Sequence, residues 1–198
     1  NTIAQNIGAM YNKGFELTLS TVNIDKADFS WRSSLNFTKV KNRVTRLVDG
    51  NPIINTYNIT QEGGSIGTIY GYQSRGVNSA NGWAMYEKAD GSVVQINPAN
   101  GNWRKYNEAN PEDVSEVAAA LSTADKRVLG EANPTWFGGF NNNFTYKKFD
   151  LGLFFTFSGG NKVYNYTRHE SLNNQVFANS GREQLKAWEK PGDVTDVP

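Results

Sequence analysis

The stretch FDLGLFFTF, residues 149–157, limits what this chain can become more than any other: Phe149, Leu151, Leu153, Phe155 and Phe157 alternate with Asp150, Gly152, Phe154 and Thr156. A period of two lines one face of a β-strand, because successive side chains of a strand point to opposite sides. The pattern recurs in GFELTLSTVNI, where Phe15, Leu17 and Leu19 oppose Glu16, Thr18 and Ser20. In FSWRSSLNFTKV it sets Phe29, Trp31, Leu35 and Phe37 against Ser30, Arg32, Ser34, Asn36 and Thr38. In FGGFNNNFTY, Phe140, Phe144 and Tyr146 share a parity with Asn142. The polar stretches Asp25-Lys26-Ala27-Asp28 and Lys147-Lys148 join these runs in pairs, which predicts two hairpins.

From about residue 45 to 129 the alternation weakens and turn chemistry takes over: DGNP, EGGS, NSANGW, ADGS, NPANGNW. Connections this long carry function or lack fixed order. Two short helices are expected. Asn110-Pro111-Glu112-Asp113 offers a cap, a proline at the first helical position and early acidic residues ahead of SEVAAALSTADKR. Ser180-Gly181-Arg182-Glu183 reads as a capping box ahead of QLKAWEK, with Pro191-Gly192 as the stop.

The apolar rows face either a protein core or lipid. Hydrophobic residues make up only 38% of the chain, below the roughly 45–50% of globular domains by a count that also includes glycine; strands apolar on one face only would give this. No apolar run approaches the roughly 20 residues of a spanning helix, so any membrane contact is through strands or at the surface. The 19 glycines and 13% aromatic residues suit β structure. The N-terminus has neither the basic start nor the apolar core of a signal peptide. The C-terminal EKPGDVTDVP stops in a turn-like segment. Both ends read as cuts through a longer protein.

Little here suits catalysis. A formal net charge of +1 without a dense basic run gives no footprint for nucleic acid. The absence of cysteine removes thiol nucleophiles, thiolate metal sites and disulfides. His169 is the single histidine and reads as a loop residue. EGGSIGTIYGYQSRG lacks the Gly-Lys-Ser/Thr ending of a phosphate-binding loop, so its glycines serve turns or kinks. YEKADGSVVQIN offers Asp90 and Glu87 but no regular series of oxygen ligands, so it reads as a plain turn. The Asn-x-Thr triplets at Asn36, Asn58, Asn143 and Asn165 read as chance, two of them lying in strands. No enzyme, metal or cofactor is expected. Trp83, Tyr86, Trp103 and Tyr106, among Asn, Asp and Gln, are candidates for contact with a sugar or peptide, or else pins for their loop.

NIGAMYNKGFELTLS, FSWRSSLNFTKVKNRV, IGTIYGYQSRGV, RVLGEANPTWFGGFNNNFTYKKFDLGLFFTFSGGNKVYN and LKAWEKPGDVTDVP follow one another in this order. Together they resemble the C-terminal barrel region of the SusC/RagA family of TonB-linked outer-membrane transporters of Bacteroidetes. NKGFEL, EANP, YKKFDL and WEKPGD carry the likeness most specifically. It implies an all-β chain of antiparallel strands within a transmembrane barrel of about 22 strands, with long extracellular loops carrying short helices. It also implies a SusD-like lipoprotein partner, TonB acting through a plug absent here, final strands likewise absent, and import of an oligosaccharide or peptide. Many relatives have an acidic, calcium-like stretch after the position of Tyr86; ADGSVVQINPANG is poor in carboxylates, which argues against a metal there.

On that resemblance all of 1–198 belongs to the barrel, with 45–129 and 159–198 mostly extracellular. Phe15, Leu17, Leu19, Trp31, Leu35, Phe149, Leu151, Leu153 and Phe155 would face outer-membrane lipid, and the polar face a watery lumen. Phe29, Trp31 and Phe149 would form an aromatic girdle at the periplasmic rim. The alternative is a soluble β-sandwich that binds carbohydrate, with the same apolar faces packed on a second sheet.

Overall fold

The computed structural model describes residues 6–172 and 179–198. It is all-β and antiparallel. The strands are β1 (Gly8–Lys26), β2 (Phe29–Leu47), β3 (Ile53–Ile54), β4 (Asn58–Thr60), β5 (Thr68–Gly71), β6 (Gln73–Val77), β7 (Ala84–Glu87), β8 (Val93–Ile96), β9 (Trp103–Lys105), β10 (Arg127–Gly130), β11 (Trp136–Tyr146) and β12 (Phe149–Gly159). One short helix, α1 (Tyr166–Ser171), follows. Two compact units result: 6–69 with Gly130–Val163, and Tyr70–Leu129 with the described part of Tyr164–Pro198.

The first unit is dominated by a sheet in the order β1-β2-β11-β12, with every neighbour antiparallel. Both predicted hairpins form, and their turns meet at one end of the sheet. The first turn is tighter than the sequence suggested, consisting of Ala27 and Asp28 alone. At the second, Lys147 takes a φ of 55° and donates its amide to the Asp28 carbonyl at 2.9 Å. Since β2 pairs directly with β11, everything from residue 48 to 135 is one excursion between two adjacent strands.

Pairing carries the period-two pattern across all four strands. One lateral row is Leu19, Leu35, Phe140 and Phe155; the next toward the turns is Thr21, Ser33, Asn142 and Leu153. Beyond a bulge at Asn23 come Ile24, Trp31, Phe144 and Leu151, and then Lys26, Phe29, Tyr146 and Phe149. On the other face Thr18, Asn36, Gly139 and Thr156 form one row, and Ser20, Ser34, Asn141 and Phe154 another. Four sequence patterns thus combine into one apolar face and one largely polar face.

Gly138 explains how the rings on the apolar face fit. A Cβ there would lie 2.6 Å from Cζ of Phe157 and closer still to the Asn36 carbonyl oxygen. The missing side chain lets Phe157 lean across the neighbouring strand and meet Trp136 at a tilted 6.3 Å. Away from the turns, β2 ends in the buried Val44 and Leu47, close to the turn before β5. There Val44 exchanges backbone bonds with Gly63 and Gly64, and the Leu47 amide donates to Glu62 Oε1 at 2.8 Å. Ile59 and Thr68 complete this small core.

The second unit is built on a sheet in the order β6-β7-β8-β9. Its core mixes Val77, Met85, Val94 and Val197 with the fully buried amides Asn78 and Gln95. The region read as turns therefore holds strands too short to show a period. NSANGW and WEKPGD, far apart in sequence, meet here: Trp188 donates Nε1–H to the Ser79 carbonyl at 2.9 Å and lays its ring on Gly82, whose φ is 76°.

The helix expected after Pro111 does not form. Asp113 Oδ1 accepts the Ser115 amide and hydroxyl as a local turn. The Glu116 carbonyl and Ala118 amide are taken by Lys105 and Trp103, so this backbone pairs with the open edge of β9. At the second expected helix, Arg182–Lys186 is a single 3-10 turn with no side-chain cap from Ser180. The helix that does form, α1, had no predicted signal; its cap is Asn165, whose Oδ1 accepts the Arg168 amide at 2.8 Å.

Gly138→Ala is expected to destabilise the folded full-length protein by about 1–3 kcal/mol through overpacking against Phe157 and the Asn36 backbone. The measurement is a denaturant folding titration in lipid or detergent, with Gly152→Ala, where only ordinary contacts are met, as the mild control.

Candidate functional site

Two surfaces hold the residues singled out by sequence. The first is the apolar face of the four-stranded sheet. Phe15, Leu17 and Leu19 on β1 and Phe149, Leu151, Leu153 and Phe155 on β12 all lie on it and are exposed, from 40% for Leu153 to 77% for Phe149. Trp31 and Leu35, on the inner strand β2, share the face and are half-buried by their neighbours. Among the described residues of this unit, no second sheet covers these side chains.

That face is not uniformly apolar. Asn142, 6% exposed, accepts at Oδ1 from Trp31 Nε1–H at 3.0 Å and from the Ser33 hydroxyl at 2.7 Å. Ser33 Oγ in turn accepts from Asn23 Nδ2 at 2.7 Å, and Asn23 Oδ1 accepts from the Thr21 hydroxyl at 3.0 Å. Trp31 and Phe144 stack beside this string at 5.6 Å and 18°. Asn142 shares its parity with the aromatic rings of β11, and the bonds that make it tolerable there come from residues more than a hundred positions away.

The opposite face carries the Arg32–Asp25 ion pair at 3.6 Å and a bond from Thr145 Oγ1 to Asp150 at 2.7 Å. Phe154 and Phe137 are apolar exceptions on it, 66% and 44% exposed. The ring of Phe154 lies over Gly139.

The second surface is the small sheet. Register puts Tyr86 and Trp103 on one face with Val94 and Ile96, and their rings meet at 5.9 Å, tilted by 54°. Trp83 and Tyr106 lie just outside β7 and β9. Burial pushes the Tyr86 hydroxyl pKa up.

Beside the small sheet lies a charged network. Glu87 is held between Arg127 at 2.7 Å and Arg75 at 2.5 Å. The Arg127 hydrogen bond, followed by the charge of Arg75, holds the Glu87 carboxyl below its usual range. Asp125, almost fully buried, accepts the Ala89 amide at 3.0 Å and the Ser122 amide at 2.8 Å. These two backbone bonds bring its pKa down to about 2. Asp90 is occupied by the Ser92 amide and hydroxyl, as a plain turn requires. His169 sits on α1 between the rings of Tyr164 and Tyr166. No group of three potential metal ligands gathers among the described residues.

No family model matches the chain. Among curated proteins it is 32% identical over 204 residues to the TonB-dependent receptor P3 of Formosa agariphila, covering 98% of the chain and 19% of that protein. It is 27% identical to receptor P39 of the same organism, over the whole chain and 22% of the relative. In structure it is similar to the RagAB peptide transporter, with a TM-score of 0.74, 23% identity, and coverage of 98% of this chain and 20% of that one. The RagAB peptide importer in its open-open state gives a TM-score of 0.71. The chain thus spans about a fifth of the length of the proteins it matches.

Asp125 supplies a test of the loop unit. Its folded pKa lies below the unfolded value of 3.8, so its contribution is complete above about pH 4 and is lost as pH falls toward about 2. Tryptophan fluorescence is expected to report loosening in that window, and Asp125→Asn to remove the acid step at the cost of lower stability at neutral pH.

Proposed function

We propose, because this chain belongs to the family of TonB-dependent receptors, that it supplies four wall strands and outer loops to a β-barrel importer in the bacterial outer membrane. The observation that carries the reading is the shared register of β1, β2, β11 and β12, which gathers their apolar side chains on one exposed face. A strand crosses a bilayer in about 9–11 residues; β11 and β12 each have 11. Hydrocarbon is the medium in which such a face is stable and in which every backbone group must be paired, as it is across a closed barrel.

On this reading Phe15, Leu17, Leu19, Trp31, Leu35, Phe149, Leu151, Leu153 and Phe155 face lipid. Phe29, Trp31 and Phe149 belong to the aromatic girdle nearest the tight turns, which lie at the periplasmic rim. Segments 45–129 and 159–198 are mainly outside. The chain's role is to form wall and to recognise, not to catalyse. Cargo is a glycan or a peptide, with a SusD-like lipoprotein at the outer loops and TonB engaging a plug outside this segment. Likeness to RagAB supports the peptide branch. Tyr86 with Trp103, and separately Trp83 and Tyr106, are the loop rings available for cargo or lipoprotein.

Leu153→Arg in the full-length receptor is expected to cost about 2–4 kcal/mol of insertion if the site lies near the bilayer midplane, and Thr18→Arg on the lumen side much less. Folding into vesicles, followed by the heat-sensitive gel shift of barrels, reads both. Equal tolerance would falsify the assignment of faces.

A further inference from the structure

The dipeptide Asn-Gly occurs twice in the chain, and both copies close the same kind of turn. Residues 78–83 join β6 to β7 and residues 97–102 join β8 to β9, at one end of the small sheet. Their sequences, NSANGW and NPANGN, fold alike bond for bond. The Asn78 and Asn97 amides donate to the Trp83 and Asn102 carbonyls at 2.9 Å, and the Gly82 and Gly101 amides to the Asn78 and Asn97 carbonyls at 2.8 Å. Asn81 Oδ1 accepts the Trp83 amide at 3.0 Å, and Asn100 Oδ1 the Asn102 amide at 2.9 Å. Gly82 and Gly101 both take the left-handed backbone that glycine favours, with φ of 76° and 71°.

The two turns differ in what surrounds them. A Cβ on Gly82 would lie 2.5 Å from the Trp188 ring, and the Ser79 carbonyl accepts Trp188 Nε1–H and the Gly192 amide, both at 2.9 Å. Asn81 Nδ2 donates to Oε1 of the fully buried Gln95 at 3.1 Å. At the second turn nothing lies within 4 Å of a Cβ placed on Gly101, and Pro98 through Asn102 are exposed. An asparagine amide carbon is open to attack by the backbone nitrogen of the next residue, and glycine, with no side chain, hinders that attack least. The chain thus holds one reactive dipeptide twice in one backbone geometry, once under a tryptophan and once in the open.

We infer that Asn100 is a site of spontaneous modification, while Asn81 is kept inert by its cover. The Gly101 nitrogen, its proton passed to hydroxide, bonds to Asn100 Cγ; the Cγ–Nδ2 bond breaks, and Nδ2 takes a proton from water and leaves as ammonia. Water then opens the cyclic imide at either carbonyl, giving aspartate or isoaspartate with no change of oxidation state. In both turns the glycine amide must first leave its carbonyl partner. Water replaces that bond readily in an exposed turn, whereas the first turn must also shed Trp188 and the bond to Gln95. Modification places a carboxylate on the β8–β9 turn. In the isoaspartate form the main chain runs through the Cβ of residue 100, which breaks the pairing of residues 97 and 102. The inference concerns the loop unit and is independent of how the faces of the wall are assigned.

The test incubates the purified full-length receptor in detergent and heavy-oxygen water at mildly alkaline pH, beside a sample in denaturant, and reads both by brief acidic digestion in ordinary water and mass spectrometry. The heavy oxygen marks acids formed during incubation, and chromatography separates aspartate from isoaspartate. In the folded receptor Asn100 is expected to convert about tenfold or more faster than Asn81, with isoaspartate among its products. In denaturant the two sites should convert at similar rates. Trp188→Ala should raise conversion at Asn81 and leave Asn100 as it was, whereas Trp188→Phe, which keeps a ring on Gly82, should hold Asn81 inert. Equal rates in the folded receptor, or no conversion at Asn100, overturn the inference. A lead of Asn100 that persists undiminished in denaturant overturns it too, because sequence and not cover then decides. Aspartate without isoaspartate overturns the imide route, and an unchanged Asn81 in Trp188→Ala overturns the role of the cover.

Discussion

The pairing of β2 with β11 is the constraint on which the rest depends. It joins residues about a hundred positions apart and fixes which side chains of two hairpins share a face. A slip of one residue would exchange the faces of one hairpin against the other, putting Phe144 among serines and Asn143 beside Trp31. The correct register is marked by complementary shapes: Gly138 opposite Phe37 and beneath Phe157, and Trp31 stacked on Phe144. It is marked chemically as well, since Asn142 finds Ser33 and Trp31 only in this alignment.

The polar string on the apolar face belongs to the same logic. An indole N–H or a hydroxyl left unpaired among apolar side chains costs free energy, so such groups need partners. Linked through Asn142 and the bulge residue Asn23, these groups satisfy one another, and any misaligned pairing would break the chain of bonds. A row of leucines would be as apolar and far less specific about register.

Much of the wall was legible because a strand of eleven or more residues displays its period many times, and because both turns are short and polar. The excursion was not, for the opposite reason. Strands of two to five residues cannot show alternation, and their partners are chosen by contacts such as Trp188 on Gly82, which no local pattern encodes. The helix expected after Pro111 failed because good local signals met an unpaired sheet edge at β9, where two backbone bonds were on offer. Tyr86 and Trp103 meet because β7, β8 and β9 pair in register, a contact between residues seventeen positions apart that no local pattern encodes.

Because the excursion begins and ends on neighbouring strands, its length bears little on the wall. Closing a flexible loop costs only about 0.6 kcal/mol more for each doubling of its length, so the residues between β2 and β11 are free to build a unit of their own. That unit is held by polar groups as much as by apolar ones. Asn78 bonds Gln95 and the Pro111 carbonyl, Asn81 bonds Gln95, and Arg127 spans Glu87 and the Lys88 carbonyl. Bonds of this kind demand specific partners, so the loop can hold a defined surface with a very small core. The wall, in contrast, needs only that every second residue be apolar and that the register hold. One chain therefore carries two kinds of constraint: the four-stranded sheet depends on an alternating pattern held in register, and the loop unit on particular partners for its buried amides and charges.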